Sequence, residues 1–344
     1  MGRPAGHLAT FVHVSDLHFG ELDAQTGNAT LDASTEDWIQ QQPWFDGYLG
    51  HSGAALRHLQ LFFDRIQQDE DAQLIVTGDL TTVGGAVEFD LARRYLEAKN
   101  TFFPPLKLGL GVTTYAQRSI PGNHDHWPGR RATGPLDLVM FGRPSKPSGY
   151  PGGCPDLTTL QLAGGGRIVF IRVDSDADVH PKGSHRLFAR ASFRSQLKAA
   201  RRLLPAPPDP REVRVLLVHH SPSCGTFHLG MSRSMRTALE DFLAQTDTRV
   251  VLSGHVHEAQ ADPRLPVAGR YLEARCGTTT QLDVIPPGWK VRTAPPPSNT
   301  LLVHRLTERT PGGALDWSVK TYARGRSGFI PIPNQHPASI KVWR

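Results

Sequence analysis

The sequence has few cysteines and no long apolar run, and each shortage removes a class of protein. Cys154, Cys224 and Cys276 are too few and too scattered for a disulfide framework or a cysteine-based zinc site. No run of about 18 apolar residues occurs, so no transmembrane helix is expected. The first eight residues lack the apolar core of a signal peptide, which predicts a cytoplasmic protein. There is no long block of charge and no internal repeat. With hydrophobic residues at 39% and charged residues at 20%, the composition fits a soluble globular chain. No domain boundary stands out. One domain is expected over residues 1–325, with inserted loops at 20–50 and 126–155 and an irregular tail over 326–344.

A formal net charge of +6 and a pI near 9.4 could attract phosphorylated ligands or nucleic acid, though solvated arginines account for the excess as simply. Arginine outnumbers lysine, and proline, glycine and alanine are frequent, which points to a GC-rich bacterial genome. The 16 histidines are more informative, because several sit at the ends of short apolar runs.

The segment from Thr10 to Ser15 reads as a strand and ends in Asp16-Leu-His18. Two side chains two apart at a strand end point the same way. Leu56, Leu59, Phe63 and Ile66 recur at helical spacing over residues 52–68. Leu74 to Thr77 reads as a strand running into Gly78-Asp79, and residues 88–100 read as a second helix. A strand over 118–120 feeds the turn Pro121-Gly122, after which Asn123, His124 and Asp125 follow consecutively. A hairpin is expected over 157–162 and 167–173, a helix over 188–204, and a buried strand over 213–218 ending in His219-His220. A helix over 234–244 and a strand over 249–252 lead to Gly254-His255-Val-His257. Closing strands are expected over 271–276, 300–306 and 315–322, and the chain from about Arg324 reads as irregular. Strands alternating with helices indicate a layered α/β fold with a later β-rich part.

The strand ends collect Asp16, His18, Asp79, Asn123, His124, His219, His255 and His257. In layered α/β folds such ends meet in one crevice. The donors are carboxylate, imidazole and amide with no thiolate, a set suited to Mn, Fe, Zn, Co or Ni. They are too many for one tetrahedral ion and enough for two that share a carboxylate. Singly, each motif is common in structural roles; all five in order, each after a strand, are not.

The order Asp16-x-His18, Gly78-Asp79, Gly122-Asn-His-Asp125, His219, Gly254-His-x-His257 resembles the calcineurin-like metallophosphoesterase superfamily over roughly residues 9–280. The stretches from His13 to Gly20 and from Thr77 to Thr81 with Gly85 and Glu88-Phe89, and Val173-Asp-Ser175 with Gln196-Leu197, are similar to its bacterial branch that includes class III cyclic-nucleotide phosphodiesterases. The resemblance implies a four-layer αββα sandwich and two divalent or trivalent metal ions such as Mn, Fe or Zn. It implies Asp16, His18 and His257 on one ion, Asn123, His219 and His255 on the other, and Asp79 bridging. It further implies a metal-bridging hydroxide as nucleophile, with His124 facing the substrate phosphate and Asp125 orienting that imidazole.

Two positions stay open at this stage. Only one of His219 and His220 should ligate, and the family pattern favours the first. Thr82 stands where relatives of this branch often carry Asp or Asn. His126 and Trp127 extend the turn and are either substrate contacts or structural, and His228 is either a substrate contact or incidental. Trp38, Trp44 and Tyr48 in the loop 20–50 suggest a packed lid or pocket wall, or else a surface insertion with its own small cluster. The leading expectation is a phosphodiesterase acting on a small phosphorylated substrate. A nuclease of the same superfamily is the alternative, not favoured because no basic stripe with interleaved aromatics is present. A non-catalytic scaffold is a third reading, opposed by the complete set of motif residues.

Overall fold

The first strand, β1 (His7–Val14), sends Val12 and Val14 to one side and Phe11 to the other, and both sides are buried. A strand covered on both faces must lie between layers. The computed structural model describes residues 6–23, 25–30, 50–82, 84–103, 106–126, 153–163, 165–178, 191–205, 211–224, 230–264, 271–282, 299–310, 313–332 and 338–343. After β1 come a short hairpin β2–β3 (Glu21–Leu22, Ala29–Thr30), α1 (Gly53–Glu70), β4 (Gln73–Thr77), α2 (Ala86–Glu97), a second hairpin β5–β6 (Lys99–Phe103, Leu106–Leu110) and β7 (Ser119–Ile120). Then follow β8 (Asp156–Gln161), β9 (Arg167–Arg172), α3 (Arg194–Leu203), β10 (Glu212–Leu217), α4 (Arg233–Gln245), β11 (Val250–Ser253), β12 (Gln260–Arg264) and β13 (Tyr271–Arg275). The chain closes with β14 (Thr300–Glu308), β15 (Leu315–Gly325), β16 (Gly328–Pro331) and β17 (Ala338–Trp343).

These strands form two large sheets. The first has the order β16-β15-β14-β1-β4-β7, with β17 also on β15; the second has the order β12-β13-β11-β10-β9-β8. Within the first sheet β1, β4 and β7 are parallel, and within the second β9, β10, β11 and β13 are parallel. Helices α1 and α2 cover one face of the first sheet, packing Leu56, Leu59, Phe63, Phe89 and Leu96 on Val12, Val14 and Val76. Its other face meets the second sheet, Phe11, Ile75 and Trp317 packing with Phe170, Val215 and Leu252. Helices α3 and α4 cover the far face of the second sheet, placing Leu197, Met235 and Leu239 on Ile171, Leu216 and Val251. Ser52 and Ser232 cap α1 and α4, each accepting the backbone N–H three residues on. Among the described residues no helix is long and apolar enough to cross a membrane.

Several sequence expectations are corrected. The helix expected over 188–204 begins at Arg194: Ala191 instead bridges Met231, and the Asp178 carboxylate accepts the N–H of Ser195 (2.8 Å) in the first turn. Residues 188–190 lie outside the described residues. The helix expected to reach residue 100 stops at Glu97, because Lys99 already pairs with Leu110 in the β5–β6 hairpin. The tail read as irregular carries β16 and β17, which extend the first sheet and bury Phe329, Ile340 and Val342. Both strands are short and flanked by prolines, which hides their alternation. Trp38, Trp44, Tyr48, Trp127 and His228 fall outside the described residues, as does most of both inserted loops.

Candidate metal centre

Every parallel strand ends at the same edge of its sheet, so the loops after β1, β4, β7, β10 and β11 gather in one place. The loops do not continue as strands. Strand β1 stops at Val14, and Asp16 and His18 lie beyond it with φ of 53° and 49°. Their convergence therefore comes from two left-handed kinks rather than from strand alternation, a correction to the sequence argument. Asp79 (50°), His255 (75°) and His257 (56°) share this backbone. Each such residue costs roughly 1 kcal/mol or more and persists only where its surroundings impose it.

The imposing groups can be named. Thr278 Oγ1 donates to the carbonyl of Asp16 (3.0 Å) and Thr280 Oγ1 to that of Leu17 (2.7 Å). Thr279 Oγ1 accepts the N–H of Ser15 (3.2 Å), and Thr82 Oγ1 donates to the carbonyl of His18 (2.9 Å). The threonine run after Gly277 was missed by motif reading. Three consecutive hydroxyls directly after a buried strand were the available signal.

Two groups of donors result. In the first, Asp16 Oδ1 lies 3.3 Å from His257 Nε2 and 3.9 Å from His18 Nε2, and the two imidazole nitrogens are 3.2 Å apart. In the second, His219 Nε2 lies 3.2 Å from Asp79 Oδ2 and 3.1 Å from Asn123 Oδ1, and His255 Nδ1 lies 3.0 Å from the same amide oxygen. His219 Nδ1 is 2.7 Å from the carbonyl of Thr77, so its proton is spent there and Nε2 faces the cluster. His220 turns the other way, to Ser175 Oγ at 2.7 Å, and packs tilted against His255 with ring centroids 4.1 Å apart. The geometry thus gathers Asp16, His18, Asp79, Asn123, His219, His255 and His257 and leaves His220 outside.

His124 sits between the groups, its ring 4.9 Å from that of His18. One of its nitrogens, with a donor atom each from His18 and Asp79, falls within a 4.8 Å cluster that could itself hold a metal. Its Nδ1 lies 2.8 Å from the carbonyl of Thr82. Asp125 does not orient this ring, contrary to expectation. Its carboxylate accepts the N–H groups of Leu80 (3.1 Å), Thr81 (2.9 Å) and Gly122 (3.0 Å) and the Thr81 hydroxyl, tying the β4 loop to the β7 turn. His126, the next candidate contact, pairs with the buried Asp174 at 3.0 Å.

Two glycines are forced by this crowding. Gly78 has a φ of 98°, and a Cβ there would run into the imidazole of His219. A Cβ on Gly122 would run into the Asp79 carboxylate.

The electrostatics suit cation binding. Burial opposes ionisation of Asp16, yet the hydrogen bond and charge of His257 hold it below the usual carboxylate range. Burial opposes that of Asp79 too, but His219, His124 and His18 keep it well below. Burial lowers His18 to about 3 and His255 well below its ordinary value, leaving neutral rings with a free lone pair. For His219 burial is outweighed by Asp79, which raises it to about 10. Burial and the charge of Asp79 push Asp125 up to about 6.

Buried carboxylates facing imidazoles, and an amide oxygen facing two ring nitrogens, fit a divalent cation. The buried His255 Nε2 has no hydrogen-bond partner among the described residues, which agrees. The same reading follows from family membership, since residues 9–259 match the sequence profile of the calcineurin-like phosphoesterases. The chain belongs to this family. As a calcineurin-like phosphoesterase it is a metal-dependent hydrolase of phosphoric esters, and its mixed α/β fold with two sheets is consistent with that membership. No curated protein matches the sequence closely.

Proposed function

We propose that this phosphoesterase uses a pair of metal ions and hydrolyses small phosphodiesters, in the manner of the branch that includes class III cyclic-nucleotide phosphodiesterases. The observation that supports a pair is the position of Asp79, which lies with His18 and His124 on one side and with His219 and His255 on the other. In this reading Asp16, His18 and His257 hold one ion, Asn123, His219 and His255 hold the second, and Asp79 is shared. The family architecture, a four-layer αββα sandwich, goes with it.

Ions held there would supply Lewis acidity and an activated water near neutral pH. The chain's own groups supply the rest. Asn123 is a neutral donor and limits negative charge beside an anionic substrate. His124, with Nδ1 committed to Thr82, has Nε2 to meet a phosphoryl oxygen or to protonate the leaving group. Thr82 braces the His18–His124 side of the site twice, its hydroxyl donating to the His18 carbonyl and its own carbonyl facing His124 Nδ1. His257, with a side chain 22% exposed, marks the side from which substrate enters.

The test is metal analysis of the purified chain, followed by turnover of bis(p-nitrophenyl) phosphate, p-nitrophenyl phosphate and pyrophosphate with added Mn²⁺. Two ions per chain and preference for the diester are expected. Preference for the monoester or pyrophosphate would refute the diesterase assignment, and an Asp79→Ala variant that keeps two ions would refute the shared carboxylate. His124→Ala should keep both ions and lose most turnover; loss of an ion would make His124 a ligand.

A further inference from the structure

A row of hydrogen bonds runs along four neighbouring strands of the first sheet, inside the apolar layer between the two sheets. Trp317 Nε1 on β15 lies 3.1 Å from His304 Nδ1 on β14. His304 Nε2 lies 3.2 Å from His13 Nδ1 on β1, and His13 Nε2 lies 2.8 Å from Thr77 Oγ1 at the end of β4. All four side chains are fully buried, among Phe11, Ile75, Leu302 and Leu306. Polar groups in such a layer are costly unless each is paired, so a row of four is a feature to be explained.

The row has a direction. An indole N–H can only donate, so His304 Nδ1 must accept. Both imidazoles are neutral: burial lowers His13 to about 3 and His304 well below its ordinary value. A neutral His304 that accepts at Nδ1 carries its proton on Nε2 and donates it to His13 Nδ1. His13 then carries its proton on Nε2 and donates to Thr77. One donor at Trp317 sets both tautomers.

The row ends on a residue next to the site. The carbonyl of Thr77 accepts from His219 Nδ1 (2.7 Å) and from Ser15 Oγ (3.1 Å). The following residue is Gly78, whose backbone has no Cβ to restrain the Thr77–Gly78 peptide. The Thr77 side chain is thus a further anchor for that peptide, beside the pairing of Thr77 with Ile120 and the bond from the Asp16 N–H to the Gly78 carbonyl (3.1 Å).

We propose that Trp317, His304 and His13 are positioning residues: their one-way row fixes Thr77, whose carbonyl sets the tautomer and aim of His219. This deepens the reading above and rests on His219 being a metal ligand.

The test uses the full chain with Zn²⁺. In the wild type, ¹⁵N NMR should find both His13 and His304 protonated on Nε2. Trp317→Phe keeps the ring that stacks on Phe11 (5.6 Å, 11°) but removes the donor. It should mix the His304 tautomers and weaken the Zn²⁺ equivalent held by His219 about tenfold, with the other unchanged. Thr77→Val should weaken the same equivalent, and Thr77→Ser, which keeps the hydroxyl, should restore it. A purely structural role would lower the melting temperature without moving the tautomers or one equivalent alone. Nδ1-protonated histidines in the wild type, or wild-type Zn²⁺ binding by both Trp317→Phe and Thr77→Val, overturn the proposal. Should the wild type bind no Zn²⁺, the ligand assignment of His219 fails, and the positioning role falls with it even if the tautomers are as stated.

Discussion

The carboxylate of Asp125 closes on Thr81 twice, accepting its backbone N–H and its hydroxyl, both at 2.9 Å. With the further bonds to Leu80 and Gly122, one side chain joins the two loops that carry Asp79 and Asn123. Asp125→Ala leaves three buried N–H groups without an acceptor. A loss of about 3 kcal/mol in stability is expected, read from denaturant midpoints. Because Asp125 acts on the loop and not on the proton of His124, the pH–rate profile should keep its shape while falling in height. A profile that loses one limb would return Asp125 to the catalytic machinery.

Gly122 backs directly onto the Asp79 carboxylate. Gly122→Ala should displace that carboxylate and weaken metal binding by about tenfold or more, as measured by Zn²⁺ titration against a competing chelator. Unchanged binding would mean that the turn yields without cost.

The threonine brace should behave additively with neither metal nor substrate contact. Thr278→Val and Thr280→Val each remove one hydroxyl that bonds a carbonyl of the Asp16–His18 loop. Each should lower stability by about 1 kcal/mol and leave an unpaired carbonyl beside a left-handed residue. The metal equivalent held by Asp16 and His18 should weaken in both. Loss of stability with intact metal binding would limit the brace to folding.

Acid should destabilise the chain through histidines that are buried neutral. Burial lowers His13 and His51 to about 3. Between that value and the ordinary 6.5 the unfolded chain binds protons that the folded chain does not. Their contribution is complete above pH 6.5 and is lost as pH falls toward 3, at up to about 1.4 kcal/mol per pH unit for each histidine. Urea midpoints between pH 7 and 4 should fall accordingly, and His51→Asn should flatten the slope. An unchanged slope would place the acid sensitivity elsewhere.

Much of the site was legible because its chemistry is local in the chain. Asp16-x-His18, Gly78-Asp79, Gly122-Asn-His and Gly254-His-x-His257 follow apolar strands, and parallel strands bring their ends to one edge. The exceptions are instructive. Asp125 sits beside His124 in sequence but bonds the loop of a neighbouring strand, a partner that adjacency cannot reveal. The threonines at 278–280 brace a loop more than 260 positions earlier, and their run of hydroxyls signals a role without revealing that distant partner. Strands β16 and β17 were hidden by flanking prolines and by their short length, and only pairing with β15 defines them.

By itself the sequence determined which donors are available, their order, and the strand-to-loop punctuation that exposes them. Side-chain chemistry and alternation are properties of neighbours, so both can be read along the chain. The tertiary structure decided which of two adjacent histidines turns inward. His219 has the carbonyl of Thr77 behind it, while Ser175 holds His220 away. It also decided that Asp16 and His18 meet through left-handed kinks imposed by Thr278, Thr280 and Thr82. Those outcomes depend on hydrogen bonds between distant segments, which exist only once the sheets have packed.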